Sequence, residues 1–241
     1  MFIFPAFHWW RTVFWLIPAI SVYTVLLGTV SLISSLFDRT GNVAHACARL
    51  WSRLILATTG VKVRVHGLNL VPRHGSYVFV SNHQSIYDIP ILFSTLPYQL
   101  RIIAKASLGR FPVLGWHLRY TGHLLINREK VGMGTLTQVA QLMKRGHSLV
   151  AFPEGTRSRD GEIGRFKPGL FLMAVDADVP VVPVSISGSR HVMLKGRLMT
   201  CPGEVDVVIH NPIVTKDMTR KKVRALADLS RNVIKTKVSV G

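Results

Sequence analysis

From Thr12 to Phe37 the chain carries no lysine, arginine, aspartate or glutamate. That is a run of about 26 residues, where roughly 20 suffice to cross the hydrocarbon of a bilayer. Core helices of water-soluble domains are seldom so long, so a membrane location is expected for it. The segment lacks a strongly basic leading stretch and a small-x-small cleavage site, so a retained anchor is expected rather than a removed signal peptide. Trp9, Trp10 and Trp15 near its start have the amphipathic rings that settle at head-group level. Pro18 is placed to kink a helix here, and Gly28 with the serine-rich stretch Ser31–Ser35 to break one. Two arrangements follow: one tilted spanning helix, or a re-entrant hairpin whose second arm lies around Ala44–Thr58. In that second arm Arg49 and Arg53 stand four apart beside Leu50, Trp51, Leu54 and Ile55, an amphipathic interfacial pattern.

The formal charge is +18, yet only 17% of residues are charged and the mean hydropathy is positive. A nucleic-acid binder is usually basic and hydrophilic. This chain is basic and greasy, which points to a lipid bilayer with an anionic surface and to anionic substrates, with no nucleic acid as partner. The basic bulk follows the apolar run, so the positive-inside rule places the large domain on the cytoplasmic side, in a bacterial inner membrane or its equivalent. Cys47 and Cys201 offer neither a disulfide framework nor metal-type spacing, and a reducing compartment is the default.

After residue 60 short β runs alternate with helical stretches. Val61–His66 alternates with period two. Tyr77–Ser81 is a continuous apolar run, as in a strand buried on both faces. Strands are expected at Leu100–Ala104, His123–Ile126, Ser148–Phe152, Val181–Ile186 and Val205–His210. Helices are expected from Asp88–Pro90, around Val113–Tyr120, over Gly134–Arg145, and from about Lys216 to Lys235. This alternation predicts an α/β fold with a mixed, mainly parallel sheet flanked by helices. Residues 1–58 are expected to form N-terminal membrane-anchoring helices and residues 59–241 one catalytic domain.

Two short motifs carry chemistry. In Asn82–Asp88 (NHQSIYD) a histidine and an aspartate stand five apart, which is roughly 140° around a continuous helix, so they would not meet there. They meet if His83 lies in the turn after the strand and Asp88 enters the next helix. Asp88 then accepts the Nδ1 proton and orients His83 as a general base. In Phe152–Ser158 (FPEGTRS) Gly155 allows a tight turn after a strand, and Arg157 offers a planar fork for a phosphate. Glu154 would repel a phosphate; it is expected to hold the arginine or a hydroxyl. Lys105 and Arg128 end strands, and Lys167 precedes Pro168 at a helix start, so basic groups gather at strand ends, as a crevice for an anion requires. No third ligand accompanies the His–Asp pair, so no metal is expected. A serine hydrolase is unsupported, because no G-x-S-x-G elbow occurs.

These residues give the chain a clear resemblance to the 1-acyl-sn-glycerol-3-phosphate acyltransferases within the wider glycerolipid acyltransferase family. Four blocks match in order over roughly residues 60–215. NHQSIYD resembles the H-x4-D block, LLINR the second, FPEGTRS the third, and Val179–Gly188 (VPVVPVSISG) the proline-containing fourth. The resemblance implies His83 as base with Asp88 as its partner. It also implies acceptor binding by Arg128, Glu154, Gly155, Thr156 and Arg157, with Lys105 and Lys167 matching phosphate-side positions more loosely. It implies acyl transfer from acyl-CoA or acyl-carrier protein to the sn-2 hydroxyl of lysophosphatidate, without metal or organic cofactor. Glycerol 3-phosphate or another lysolipid as acceptor, and a non-catalytic anionic-lipid binder, are the alternatives. Asn127 and Ser107 depart from the family pattern, which frequently has acidic residues there.

Overall fold

The computed structural model describes residues 5–38, 40–126 and 133–238. Helix α1 (Pro5–Arg11), a π-helical turn (Thr12–Leu16) and α2 (Ile17–Ser34) follow one another without a break. Together they supply one apolar helix, Phe7–Ser34, long enough to cross a membrane. The distortion expected at Pro18 takes the form of the π turn that ends just before it. The break expected at Gly28 does not occur. Glycine is needed there for close packing, since a Cβ would lie 2.5 Å from a methyl of Val113.

A turn at Asp38 leads into α3 (Asn42–Thr59). The Asp38 carboxylate accepts the amides of Thr40 (2.9 Å), Gly41 (3.1 Å) and Val43 (2.8 Å), so it caps α3 from outside. The Thr40 hydroxyl first, and these amides after it, hold its pKa down to about 2. Helix α3 returns along α2, where Trp51 Nε1 donates to Thr24 Oγ1 (2.9 Å) and the Tyr23 and Thr58 hydroxyls meet at 3.1 Å. At the other end the Arg11 guanidinium donates to the Thr59 carbonyl (2.8 Å), a cation at a helix C-terminus. The Thr200 amide donates to Thr12 Oγ1 (2.8 Å).

Seven strands form one sheet: β1 (Val61–His66), β2 (Val78–Ser81), β3 (Leu100–Lys105), β4 (Leu124–Ile126), β5 (Ser148–Ala151), β6 (Val181–Ser187) and β7 (Gly203–Ile209). Their order is β1-β7-β6-β2-β5-β3-β4, and every neighbouring pair is parallel except β6 with β7. The mixed, mainly parallel sheet expected from the alternation is therefore present.

The helices between strands are α4 (Asp88–Thr95), α5 (Leu114–Tyr120), α6 (Met133–Lys144), α7 (Gly169–Asp176) and α8 (Ser189–Val192), and α9 (Val223–Lys235) follows the last strand. Strand β2 explains the layering. Val78 and Val80 pack into a core with residues of α6, α7 and α9, while Phe79 packs on the other side with residues of α3 and α4. All four β2 residues are buried, as its unbroken apolar run requires. Helix α9 begins later than Lys216. Asp217 is left-handed (φ 62°), which interrupts a helix, and only after a short 3-10 turn at Arg220–Lys222 does α9 start. Its buried face is Val223, Leu226, Ala227, Ser230 and Ile234.

Phe79 is fully buried at the centre of the sheet. Phe79→Ala is expected to lower stability by about 3–5 kcal/mol through lost burial and the cavity left behind. Denaturant unfolding in detergent micelles, followed by near-ultraviolet circular dichroism, checks this.

Candidate active site

The site is built where β2 and β5 end side by side. Beyond β2, Asn82 is buried and exchanges two hydrogen bonds with Ile186 of β6. Its Nδ2 donates to the Ile186 carbonyl and its Oδ1 accepts the Ile186 amide, both at 2.8 Å. The side chain thereby continues the sheet pairing past the strand and fixes the residue that follows.

That residue, His83, is held through its own backbone. Its amide donates to Glu154 Oε1 and its carbonyl accepts the Ser158 amide, both at 2.8 Å. Its ring stacks on Phe152, with centroids 4.0 Å apart and planes 18° from parallel. The chain then turns, and Asp88 opens α4. One Asp88 oxygen, Oδ2, lies 2.8 Å from His83 Nδ1 and accepts the amides of Gln84 (2.8 Å) and Ser85 (2.9 Å). Asp88 is completely buried. An oxygen accepting two amide protons needs the hydrogen of the third contact to come from the histidine. Nδ1 therefore carries the proton and Nε2 keeps the lone pair. The meeting of His83 and Asp88 across a turn, expected from their spacing, is what the structure contains.

The loop after β5 is the second half of the site. Gly155 has φ 78°, a left-handed turn position, and the Lys167 ammonium reaches it: a Cβ at 155 would lie 3.2 Å from Lys167 Nζ. Among the described residues, the Glu154 carboxylate meets backbone amides and no arginine or hydroxyl. Its two oxygens accept backbone amides, His83 on one side and Gly164 (2.9 Å) on the other, so it is a strut between the two motif loops. Burial raises its pKa, and the two amides oppose that rise without cancelling it. Arg157 lies across the loop, and among the described residues no carboxylate forms an ion pair with it or with Lys167.

Several contributors were not apparent in the sequence. Lys195 donates from Nζ to Thr156 Oγ1 (2.8 Å) and to the Arg157 carbonyl (2.7 Å). Gln84 Nε2 donates to the Gly161 carbonyl (2.8 Å), and Arg231 donates to the carbonyls of Ile163 (2.7 Å) and Gly164 (2.7 Å). No local pattern marks these residues, since their partners lie far along the chain. Lys105 occupies the last position of β3, with its side chain outside the described residues; Arg128 lies wholly outside them.

His83, Phe152 and Arg157 open on a cavity of about 400 Å³. Its walls come from α2 (Leu27, Gly28), α3 (Cys47, Trp51), α4 (Ile89, Phe93) and β3 (Ile102–Ala104), and they are chiefly apolar. His117 and His123 line it too. A proton-accepting nitrogen, a guanidinium and an apolar chamber thus share one space. Such a site suits the reaction of a hydroxyl on an anionic molecule with a long apolar group.

An α/β sheet with this histidine–aspartate pair and basic loop at its strand ends defines an acyltransferase-type protein. The Acyltransferase family model matches residues 62–187, and the chain belongs to that family. More particularly, it is 36% identical over 204 residues to the chloroplastic 1-acyl-sn-glycerol-3-phosphate acyltransferase BAT2 of Brassica napus, covering 83% of this chain and 57% of that protein. It is 35% identical over 181 residues to the mouse (Mus musculus) 1-acyl-sn-glycerol-3-phosphate acyltransferase alpha, covering 73% of this chain and 64% of that one. The chain thus spans under two thirds of the length of these curated relatives. Among solved structures, the 1-acyl-sn-glycerophosphate (LPA) acyltransferase PlsC of Thermotoga maritima is similar with a TM-score of 0.70 and 28% identity, covering 91% of this chain and 96% of that chain.

The Glu154 strut gives a pH prediction. Its pKa in the fold lies above the ordinary glutamate value, so its ionisation opposes folding. That contribution is absent below the ordinary value and grows as pH rises through the raised one. Glu154→Gln removes this pH dependence and also replaces an acceptor oxygen with an amino group. The variant should melt lower than wild type at low pH, with the gap narrowing as pH rises above the ordinary glutamate range. Melting curves of both proteins across that range check the sign.

Proposed function

We propose that this chain transfers a fatty acyl group from a thioester donor, acyl-CoA or acyl-carrier protein, to the sn-2 hydroxyl of lysophosphatidate, giving phosphatidate. The observation that carries this reading is the His83–Asp88 pair at the mouth of an apolar cavity that Arg157 also lines. His83 Nε2 takes the proton of the hydroxyl as its oxygen bonds to the thioester carbonyl carbon. The tetrahedral species then collapses, the C–S bond breaks, and the imidazolium returns the proton to the departing thiolate. Asp88 keeps the ring in the right tautomer and stabilises its charged form. Arg157, with Lys167 beside Gly155, binds the phosphate and places the hydroxyl, so binding energy far from the reacting atoms becomes orientation. Glu154 and Thr156 serve acceptor binding through the loop they help to shape. Arg128 and Lys105 are assigned to the phosphate side by resemblance alone. The apolar cavity takes an acyl chain.

Residues 1–58 act in this reading as the membrane anchor and residues 59–241 as the catalytic domain, facing the cytoplasm. Between the two arrangements considered for the apolar run, the packing favours the hairpin. One flank of the helix is tied to the protein at Arg11, Thr12, Tyr23, Thr24 and Ser31, over about 30 Å at 1.5 Å per residue. A helix crossing the bilayer upright in this arrangement would carry the polar domain into the hydrocarbon. Its other flank, with Phe14, Trp15, Val22, Leu26, Val30 and Ile33 exposed, is suited to lie within one leaflet.

The test is thiol release from palmitoyl-CoA and oleoyl-CoA by detergent-purified protein, with and without lysophosphatidate. Acceptor-dependent release is expected, and His83→Ala should lower it by roughly 10²–10⁴-fold. Equal release from His83→Ala would remove His83 as the base. Silence with both CoA and carrier-protein donors would leave a lipid-binding protein. Arg157→Met should raise the lysophosphatidate KM by about ten- to a hundredfold, the worth of a charge-assisted contact, with little change in donor KM. Steady-state kinetics with each substrate varied in turn separates the two effects.

A further inference from the structure

Helix α5 and the turn before it carry exposed aromatic groups that the proposed reaction does not use. Phe111, Trp116 and Tyr120 are 58%, 52% and 71% exposed. Trp116 and Tyr120 stand four apart and share one face of the helix. Arg110 and Arg119, both exposed, flank them. The inner face of α5 is anchored: Leu118 is buried, and His117 Nδ1 lies 2.8 Å from Ser31 Oγ of α2. Helix α5 therefore sits beside the end of α2 on which Val30 and Ile33 are exposed.

The charge distribution says what covers this face. Residues 1–128 hold twelve lysines and arginines but only two acids, Asp38 and Asp88, while the other ten acids follow residue 128. Asp38 is engaged in the turn before α3, and Asp88 is buried against His83. Between Asp88 and Glu129 the chain carries Arg101, Lys105, Arg110, Arg119 and Arg128 and no acid, so the stretch that holds α5 combines aromatic groups with basic ones alone. Indole and phenol rings settle at the head-group boundary of a bilayer, and arginines pair with its phosphates. A second copy of the chain fits less well, because a two-fold contact would bring the arginines of this patch on one copy toward those on the other.

We propose that the outward face of α5 is a second membrane contact, seated at the head-group level of a bilayer containing anionic phospholipid. This rests on the membrane reading of α2 and adds a point on the catalytic domain itself. Two separate contacts fix the tilt of the domain on the surface, which a single hairpin leaves free. Helices α2 and α5 both contribute to the cavity wall through Gly28 and His117, so this tilt turns that wall toward the acyl-chain region of the leaflet.

The test uses the full chain on phosphatidylcholine vesicles with and without phosphatidylglycerol. A photoreactive p-benzoylphenylalanine replaces Tyr120, or Leu26 on the bare flank of α2, or Leu229, which is exposed on α9 across the sheet. Adducts are identified by mass, and each variant is first checked for native circular dichroism. Lipid adducts at 26 and 120 but not at 229 are expected. Arg110→Glu with Arg119→Glu should lower partition onto phosphatidylglycerol vesicles roughly tenfold or more, with little change on pure phosphatidylcholine. Lipid adducts at 26 without any at 120 would overturn the α5 contact and leave the α2 reading intact. Protein–protein adducts at 120 would make α5 a self-association face instead. Absence of lipid at both positions would remove the membrane reading together with this extension of it.

Discussion

Three N–H groups converge on one oxygen of Asp88, and the rest of the site is arranged around that point. Two of them are backbone amides of the turn that follows His83, so the carboxylate folds the loop as well as orienting the imidazole. A carboxylate buried this fully needs such partners, because an unpaired charge at that depth would cost several kcal/mol. The same requirement makes the turn rigid. The orientation of the His83 ring is therefore set before any substrate arrives, as its proposed role as base requires.

The second motif is tied to the first by backbone contacts rather than by opposite charges. Glu154 accepts an amide from each loop, and Ser158 donates its amide back to the His83 carbonyl. Lys195 and Arg231 direct their positive groups at loop carbonyls, which the backbone of such a turn leaves without helical or sheet partners. Part of the large positive charge thus has a structural use in shaping the loop. Arg157 is left facing the cavity with a guanidinium suited to an anionic group, as the proposed acceptor requires.

Much of this was legible in the chain because local pattern and tertiary demand coincide. The unbroken apolar run before His83 reads as a strand buried on both faces, and β2 is that. For His83 and Asp88 to meet at a five-residue spacing, a turn and not a continuous helix must lie between them, and the structure has that turn. The strut made by Glu154 was not legible for a definable reason: its charge is visible in the sequence, but its partners are backbone amides, one of them 71 positions away. Lys195 gave no signal at all, being one lysine among many, with contacts 38 and 39 residues distant. Gly28 shows the ambiguity of glycine, since the same residue permits a helix break or a close approach, and only Val113 decides. The start of α9 depended on a left-handed Asp217, which composition does not reveal.

The far wall of the cavity poses an electrostatic problem, because histidines line a space that suits only apolar contents. Their partners resolve it. His123 Nδ1 accepts the Ile102 amide at 3.0 Å, which requires that nitrogen to be unprotonated. Burial, followed by the neighbouring charges of His117 and Arg101, holds its pKa well below the ordinary histidine value. Burial and then Arg101 bring His117 down to about 4. Arg101 is itself almost fully buried, so its field acts on both rings with little screening. Burial, reinforced by the Arg101 cation behind the wall, thus keeps the titratable rings in front of it neutral. Replacing either histidine by an aliphatic residue would keep the wall apolar but remove its hydrogen bonds to α2 or β3. In this fold the histidines hold the wall together, and their neutrality near pH 7 preserves the apolar interior that the proposed acyl chain needs.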